Sequence, residues 1–315
     1  MLTALLILSL LLGGTVLFVR FRLWEKIESL TYNRISSPED LLKMSQDPSD
    51  DYILTSDIDM SGYEWIPFTF SGVFDGNGHT ISNLQIDSSG TGVRDTYDGN
   101  MKVYSSCFAA FFDVLDGGKV RNVNFENICL DVTSDTSCFA GSIAGYMSGS
   151  TISNCSVNGS VRLCAHDRMF GVGGICGYGN GMIRDVDIDI VLICTDTDRE
   201  TKDEQFMGGI CSAGYPDIIN CNVQIDGYDS EHGYAHNGGL IGMYMFYPEG
   251  MEHNGSFINN CVIGKITFYE DNEDRRAYCE PFVGEMMDMI NTVEDNRYDF
   301  KRDEVYTYDV ELLPE

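Results

Sequence analysis

Gly173-Gly174-Ile175-Cys176-Gly177 returns along the chain in altered copies. Gly208-Gly209-Ile210-Cys211-Ser212 and Gly238-Gly239-Leu240-Ile241-Gly242 follow it, and Gly141-Ser142-Ile143-Ala144-Gly145 precedes it. Ala109-Ala110-Phe111-Phe112-Asp113 is a weaker copy. Ser71-Gly72-Val73-Phe74-Asp75 and Glu280-Pro281-Phe282-Val283-Gly284 stand as the two ends. Successive copies start 38, 32, 32, 35, 30 and 42 residues apart. A repeat of this length signals stacked supersecondary units.

A second motif trails each of the first six copies, reading apolar, any, Asn, apolar, any, apolar. It runs from Ile81 to Ile86, Val120 to Phe125, Ile152 to Val157, Ile183 to Ile188, Ile218 to Val223 and Ile258 to Ile263. Its end alternates, which is strand periodicity, and β-branched residues dominate there. Nothing between the motifs holds a helical period, so αβ repeats are excluded. Short strands without a crossover helix stack as solenoid coils, about 4.8 Å apart. The fold expected is therefore all-β: a right-handed parallel β-helix of about seven coils. Ile143, Ile175, Ile210 and Leu240 should form one buried column.

Within the second motif the inward residues Ile152 and Cys155 are three apart, so the strand must bend at Asn154. Asn tolerates left-handed backbone angles and bonds locally. Asn83, Asn122, Asn154, Asp185, Asn220 and Asn260 should stack as one ladder of amide hydrogen bonds. Asp185 departs from it: a carboxylate accepts but cannot donate, so that rung loses a bond or holds a cation.

The ends read as caps. Ser37-Pro38-Glu39-Asp40 is a helix start, with Ser at the N-cap and Pro in the first turn, for a short helix from Pro38 to Ser45. Tyr306, Tyr308, Val310 and Leu312 alternate with polar residues as a last strand. Leu2 to Val19 is uncharged and apolar, a candidate transmembrane anchor. The division expected is an anchor over 1–24, a linker and capping helix over 25–50, the β-helix over 51–284 and a C-terminal cap over 285–315. Arg20, Arg22 and Lys26 follow the apolar segment, and the positive-inside rule would place the rest in the cytoplasm.

Among 315 residues the formal charge is −29. Such a field repels phosphate backbones, so no nucleic-acid partner is expected. The eleven cysteines are odd in number and irregular in spacing, and several occupy core positions of the repeat. Cys176 with Cys211, and Cys221 with Cys261, should be reduced neighbours on adjacent coils.

The run from Gly173 to Tyr178, the Asn-Cys pairs, and the segment from Tyr52 to Met60 leading through Trp65 and Pro67 to Phe74–Ile81 carry a resemblance. They resemble the bacterial GLUG-motif β-helix proteins over residues 36–284. The resemblance implies an exported, surface-exposed protein with adhesive roles and no shared active site. It therefore sets the domain outside the cell, against the positive-inside rule.

The coils differ mostly in the segments 88–106, 127–138, 159–170, 190–206, 225–236 and 265–278. In a solenoid these gather on one side. Arg94, Tyr97, Tyr104, His166, Arg168, Tyr228, His232 and Tyr234 lie there, side chains suited to stacking on sugar rings or bonding polar ligands. An extracellular glycan or protein is the expected ligand. No cofactor is expected. Asp196, Asp198 and Glu200 are the candidate Ca²⁺ ligands, without EF-hand spacing. Glu231, His232 and His236 offer too few ligands for zinc. Asp75-Gly76-Asn77-Gly78 reads as a tight turn. The enzymatic alternative is polysaccharide cleavage, which needs a facing pair of carboxylates. Asp187 and Asp189 point outward, but Ser156 and Asn222 flank Asp187 on the neighbouring coils. The expected function is a non-catalytic cell-surface binding or adhesion module.

Overall fold

The computed structural model describes residues 31–87, 93–98, 101–165, 169–196, 204–229, 234–244, 255–269, 277–286 and 292–305. They form an all-β parallel solenoid with one short α-helix. A 20-stranded sheet wraps most of each coil, and a 7-stranded sheet closes the remaining side. The small sheet stacks Met101–Ala109, Cys138–Gly141, Met169–Gly173, Glu204–Gly208, Tyr234–Gly238 and Ala277–Glu280 in parallel. Val93–Asp98 pairs antiparallel at its edge.

The glycine motif is the corner between the two sheets. Ile143, Ile175, Ile210 and Leu240 are fully buried there. Their backbones join coil to coil: Ile143 N donates to Ile175 O at 3.0 Å, Ile175 N to Ile210 O at 2.9 Å and Ile210 N to Leu240 O at 2.9 Å. Trp65 ends this column, its ring stacked on Phe111 at 4.4 Å and its Nε1 donating to Phe111 O at 2.7 Å. The motif needs glycine because backbones meet at the corner. A Cβ on Gly177 would stand 2.6 Å from Gly145 O and 2.8 Å from Phe139 C. One on Gly141 would stand 2.7 Å from Gly177 N.

The long strands bend without breaking. Ala144–Ala165 turns its corners at Gly149, Asn154 and Gly159, all with positive φ. Along it Ile152, Val157, Val161 and Leu163 point inward and are buried. Helix α1 (Pro38–Leu42) starts as the sequence indicates: the Ser37 hydroxyl accepts from Asp40 N at 3.3 Å. A 3₁₀ turn over Lys43–Gln46 follows, and Leu41 and Met44 seal the core.

About five coils are fully stacked, fewer than the seven expected. The expectation counted both end copies of the glycine motif as coils. The first copy lies on Val73–Asp75, which joins only the large sheet, and the last lies in the terminal rung. No helix among the described residues is long and apolar enough to cross a membrane. Leu2–Val19 and Tyr306–Leu312 lie outside the described residues.

The asparagine column also differs from the expectation. It is two ladders. Asn127 donates to Asn83 at 2.6 Å, and Asn83 donates to Asp59 at 2.8 Å. Separately, Asn154 donates to Asn122 at 2.7 Å, and Asn122 donates to Asp75 at 3.0 Å. The second ladder starts again at Asp185, which accepts from Asn220 at 3.0 Å, and Asn220 accepts from Asn259 at 3.0 Å. Each run therefore begins on a carboxylate, the group that accepts without donating. Asp59 shows the consequence: the hydrogen bonds from Asn83 and Ser61 hold its carboxyl down at about 2.

Asn259, not Asn260, has the left-handed φ of 53°. Adjacent asparagines hid this one-residue shift. Asn260 instead turns inward, is 1% exposed, and accepts from Cys221 N at 2.9 Å. Cys261 is a neighbour of Cys221 on the adjacent coil, its N donating to Cys221 O at 2.9 Å, but it stands in register with Asn222. Cys176 and Cys211 do stand opposite each other, and both are buried. Burial pushes the Cys155 and Cys221 thiols up to about 12.

Asn220 is exposed, with φ 56°. Asn220→Ala should therefore cost about 2 kcal/mol, mostly because alanine keeps the Cβ but lacks the polar side chain that lets asparagine hold left-handed backbone. Asn220→Gly should recover most of that loss. Urea unfolding of the two variants measures the difference.

Candidate binding face

The connectors between the large and the small sheet leave from stacked positions. Ala165 stands opposite Asp196, Cys194 opposite Asp229, and Asp229 opposite Phe268. The chain returns at stacked positions too: Met169 opposite Glu204, and Glu204 opposite Tyr234. The described strand ends that bound these connectors therefore stack from coil to coil along one edge.

Arg94 and Tyr97 lie on Val93–Asp98, and Tyr104 on Met101–Ala109; Arg94 stands opposite Ser106, and Thr96 opposite Tyr104. The orientation of these three side chains lies outside the described residues, as does that of Tyr234, whose backbone opens Tyr234–Gly238. Tyr228 is half-buried, between Ile193 and Thr267 on the adjacent coils. Asp196 ends Cys176–Asp196. His166, Arg168, Asp198, Glu200 and His232 lie outside the described residues. The structure thus brings Tyr228 and Tyr234 to the two ends of the connector 230–233.

Next to this edge the large sheet presents a polar outer wall. Asn222 donates to Asp187 at 2.7 Å, Gln224 to Asp189 at 3.1 Å, and Ser156 to Asn124 at 2.9 Å. Ser156 and Asn222 flank Asp187 in register, so no second carboxylate faces it on an adjacent coil. Among the described residues no group of three or more His, Cys, Asp or Glu is placed to hold a metal ion. His236 is a core residue: it is 4% exposed, its ring stacks on Phe206 at 5.3 Å, and burial lowers its pKa to about 4. Asp75-Gly76-Asn77-Gly78 is a turn, with Asn77 N donating to Asp75 at 2.8 Å and His79 N to Gly76 O at 2.8 Å.

On and next to the strands that flank residues 230–233 lie buried polar residues that the sequence reading did not single out. Asp229 and Asn237 are fully buried, and Asn237 Nδ2 donates to Asp229 Oδ2 at 2.9 Å. Gln205 is 1% exposed. The signal was present. Val223, Ile225, Gly227 and Asp229 alternate inward, which sets Asp229 on the core side and Asp226 outside.

No family model matches the chain. Over 108 residues it is 32% identical to halomucin of Haloquadratum walsbyi, a match that spans 33% of this chain and 1% of that protein. Among solved structures, a "putative immunoglobulin A1 protease" from Bacteroides ovatus aligns with a TM-score of 0.55 at 18% identity. That alignment covers 86% of this chain and 77% of the other. A second, named IgA1 protease, aligns with a TM-score of 0.55 at 15% identity, over 88% of this chain and 22% of that one. The chain thus spans only small fractions of halomucin and of the second protease. At these identities the two structural likenesses show a shared parallel β-solenoid, and the fold alone.

Proposed function

We propose that this chain is a surface-displayed binding module, which presents the edge formed by its stacked connectors to an extracellular glycan or protein. The observation that carries this reading is the separation of roles along each coil. The corners, ladders and inward columns are accounted for by stacking. The variable polar and aromatic segments leave and return at one stacked edge. The resemblance to GLUG-motif proteins and the similarity to halomucin support a place on the cell surface. Leu2–Val19 is the proposed membrane anchor, with the solenoid outside. Ca²⁺ is the cation that the acidic connector around Asp196 and Asp198 would take.

Replacing Tyr228, His232 and Tyr234 together by Ala should weaken binding by tenfold or more on any ligand recovered from a glycan array. Sugar–aromatic and polar contacts of about 1 kcal/mol each add to that size. Melting temperature should change little. Unchanged binding, or a collapse in stability, would remove this face from consideration.

The second reading takes support from the neighbours named as proteases: the solenoid would then be part of a larger hydrolytic protein, or itself cleave polysaccharide. Wild-type chain that shortens a glycan or a protein ligand, with the loss of that activity in Asp187→Ala, would favour it.

A further inference from the structure

Asp229 closes the strand Asn222–Asp229, and Asn237 lies on the next strand of the small sheet, Tyr234–Gly238. Both side chains are fully buried. They meet through a single hydrogen bond, Asn237 Nδ2 to Asp229 Oδ2 at 2.9 Å. The remaining polar atom of each side chain, Asp229 Oδ1 and Asn237 Oδ1, has no hydrogen-bond partner among the described residues. Two acceptors left over from the same pair are what one missing proton would produce. A carboxylic acid and a primary amide can form a ring of two hydrogen bonds, O–H to amide oxygen and N–H to acid oxygen. An ionised carboxylate can make only the second.

We propose that Asp229 carries a proton in the folded chain and closes a cyclic acid–amide pair with Asn237, forming a proton-operated latch at the base of the connector 230–233. Asp229 Oδ1–H donates to Asn237 Oδ1 while Asn237 Nδ2–H donates to Asp229 Oδ2. One proton satisfies both leftover oxygens. Loss of that proton to water leaves a buried anion facing the amide oxygen, and the ring opens.

The surroundings favour the neutral form. In register with Asp229 stand Cys194 and Phe268, and in register with Asn237 stand Met207 and Cys279. Gln205 shares the inner face of the small sheet, two residues before Met207. Among the described side chains in register with the pair are thiols and a thioether, with the Gln205 amide beside them, and none of these carries a positive charge. His236, beside Asn237 in sequence, alternates to the opposite face and stacks on Phe206. Burial accordingly pushes the Asp229 carboxyl up to about 7, with the Asn237 hydrogen bond opposing. The folded value lies above the unfolded one. The stabilisation is therefore complete below the ordinary aspartate range and is lost as pH rises through about 7.

The latch ties the end of one sheet to the start of the other across the connector that carries His232. Any effect of pH on ligand binding through this connector rests on the reading of the face proposed above. The latch does not, and its test needs no ligand.

Infrared spectra of the full chain, labelled with ¹³C-aspartate, test it. At pH 6 a neutral-carboxyl C=O band from aspartate should be present, absent from Asp229→Asn, and should titrate with a midpoint near 7. Hydrogen exchange of the amides over 230–233 should speed up through the same midpoint beyond the intrinsic pH effect, and should not in Asp229→Asn. Asp229→Asn can keep both contacts as an amide–amide pair, so it separates titration from packing. Should that variant fail to fold, the wild-type band alone decides. No neutral aspartate at pH 6, or a connector whose protection ignores the titration, would overturn the latch.

Discussion

Gly177→Ala is expected to lower stability by about 3 kcal/mol or more. The new methyl would meet Gly145 O at 2.6 Å, Phe139 C at 2.8 Å and Ala140 N at 2.9 Å. All three are backbone atoms, held by the ladders of adjacent coils, and none can swing away as a side chain would. Relief requires a coil to move, and each coil is bonded to its neighbours. Gly149→Ala is the control. It has φ 54° and no atom within 4 Å of a built Cβ, so it carries only the backbone strain of a left-handed residue. That is worth about 1–2 kcal/mol. Thermal melts of the two variants should differ widely. Equal losses would mean that the corners tolerate separation.

The next largest effect is expected at Asp75, the carboxylate on which the longer amide ladder begins. Its Oδ2 accepts from Arg121 Nε at 2.9 Å, and its Oδ1 from Asn122 Nδ2 at 3.0 Å and Asn77 N at 2.8 Å. The Asp75 side chain is 8% exposed and that of Arg121 22% exposed. Asp75→Ala removes the partner of a largely buried guanidinium and two further acceptor contacts. The loss should be about 3 kcal/mol, since stranding one member of a buried pair costs more than the pair contributes. Asp75→Asn keeps an acceptor and the side-chain shape, and should lose about half as much. Chemical denaturation at neutral pH compares them. A loss no larger than that of an exposed ion pair, under about 1 kcal/mol, would show that the ladder does not depend on its carboxylate.

What could be read from the sequence follows from which residues repeat. Ile143, Ile175, Ile210 and Leu240 recur because every coil needs the same buried corner, so their column was legible before any coordinates. The asparagines were legible as a residue type that bends a strand, but not in register. Asn259 and Asn260 both fit the motif, and only the pairing of Ile258 with Ile219 decides between them. At the first coil the motif is displaced by one strand: Ile81 pairs with Phe125 rather than with Val120, and this puts Asn83 under Asn127. The number of coils was overcounted because a motif reports a corner: the first copy has no strand in the small sheet, and the last lies in the terminal rung.

The strand ends that bound the connectors were legible; the chemistry of the connectors was not. Strand ends that stack fix where the connectors leave and return, and this follows from the repeat alone. The connectors' own residues obey no period, since nothing in the stacking constrains them. Asp229 was legible in principle, through inward alternation from Val223, but a motif search passes over a residue that appears in one coil only.

The solenoid is proposed to bind without turnover. The full chain, incubated with the glycans it retains on an array and with immunoglobulin A1, tests this directly. Products are followed as new reducing or unsaturated sugar ends and as cleaved heavy chain. The account predicts retained ligand and no product above a heat-treated control. Product release by the folded chain that Asp187→Ala abolishes would contradict it.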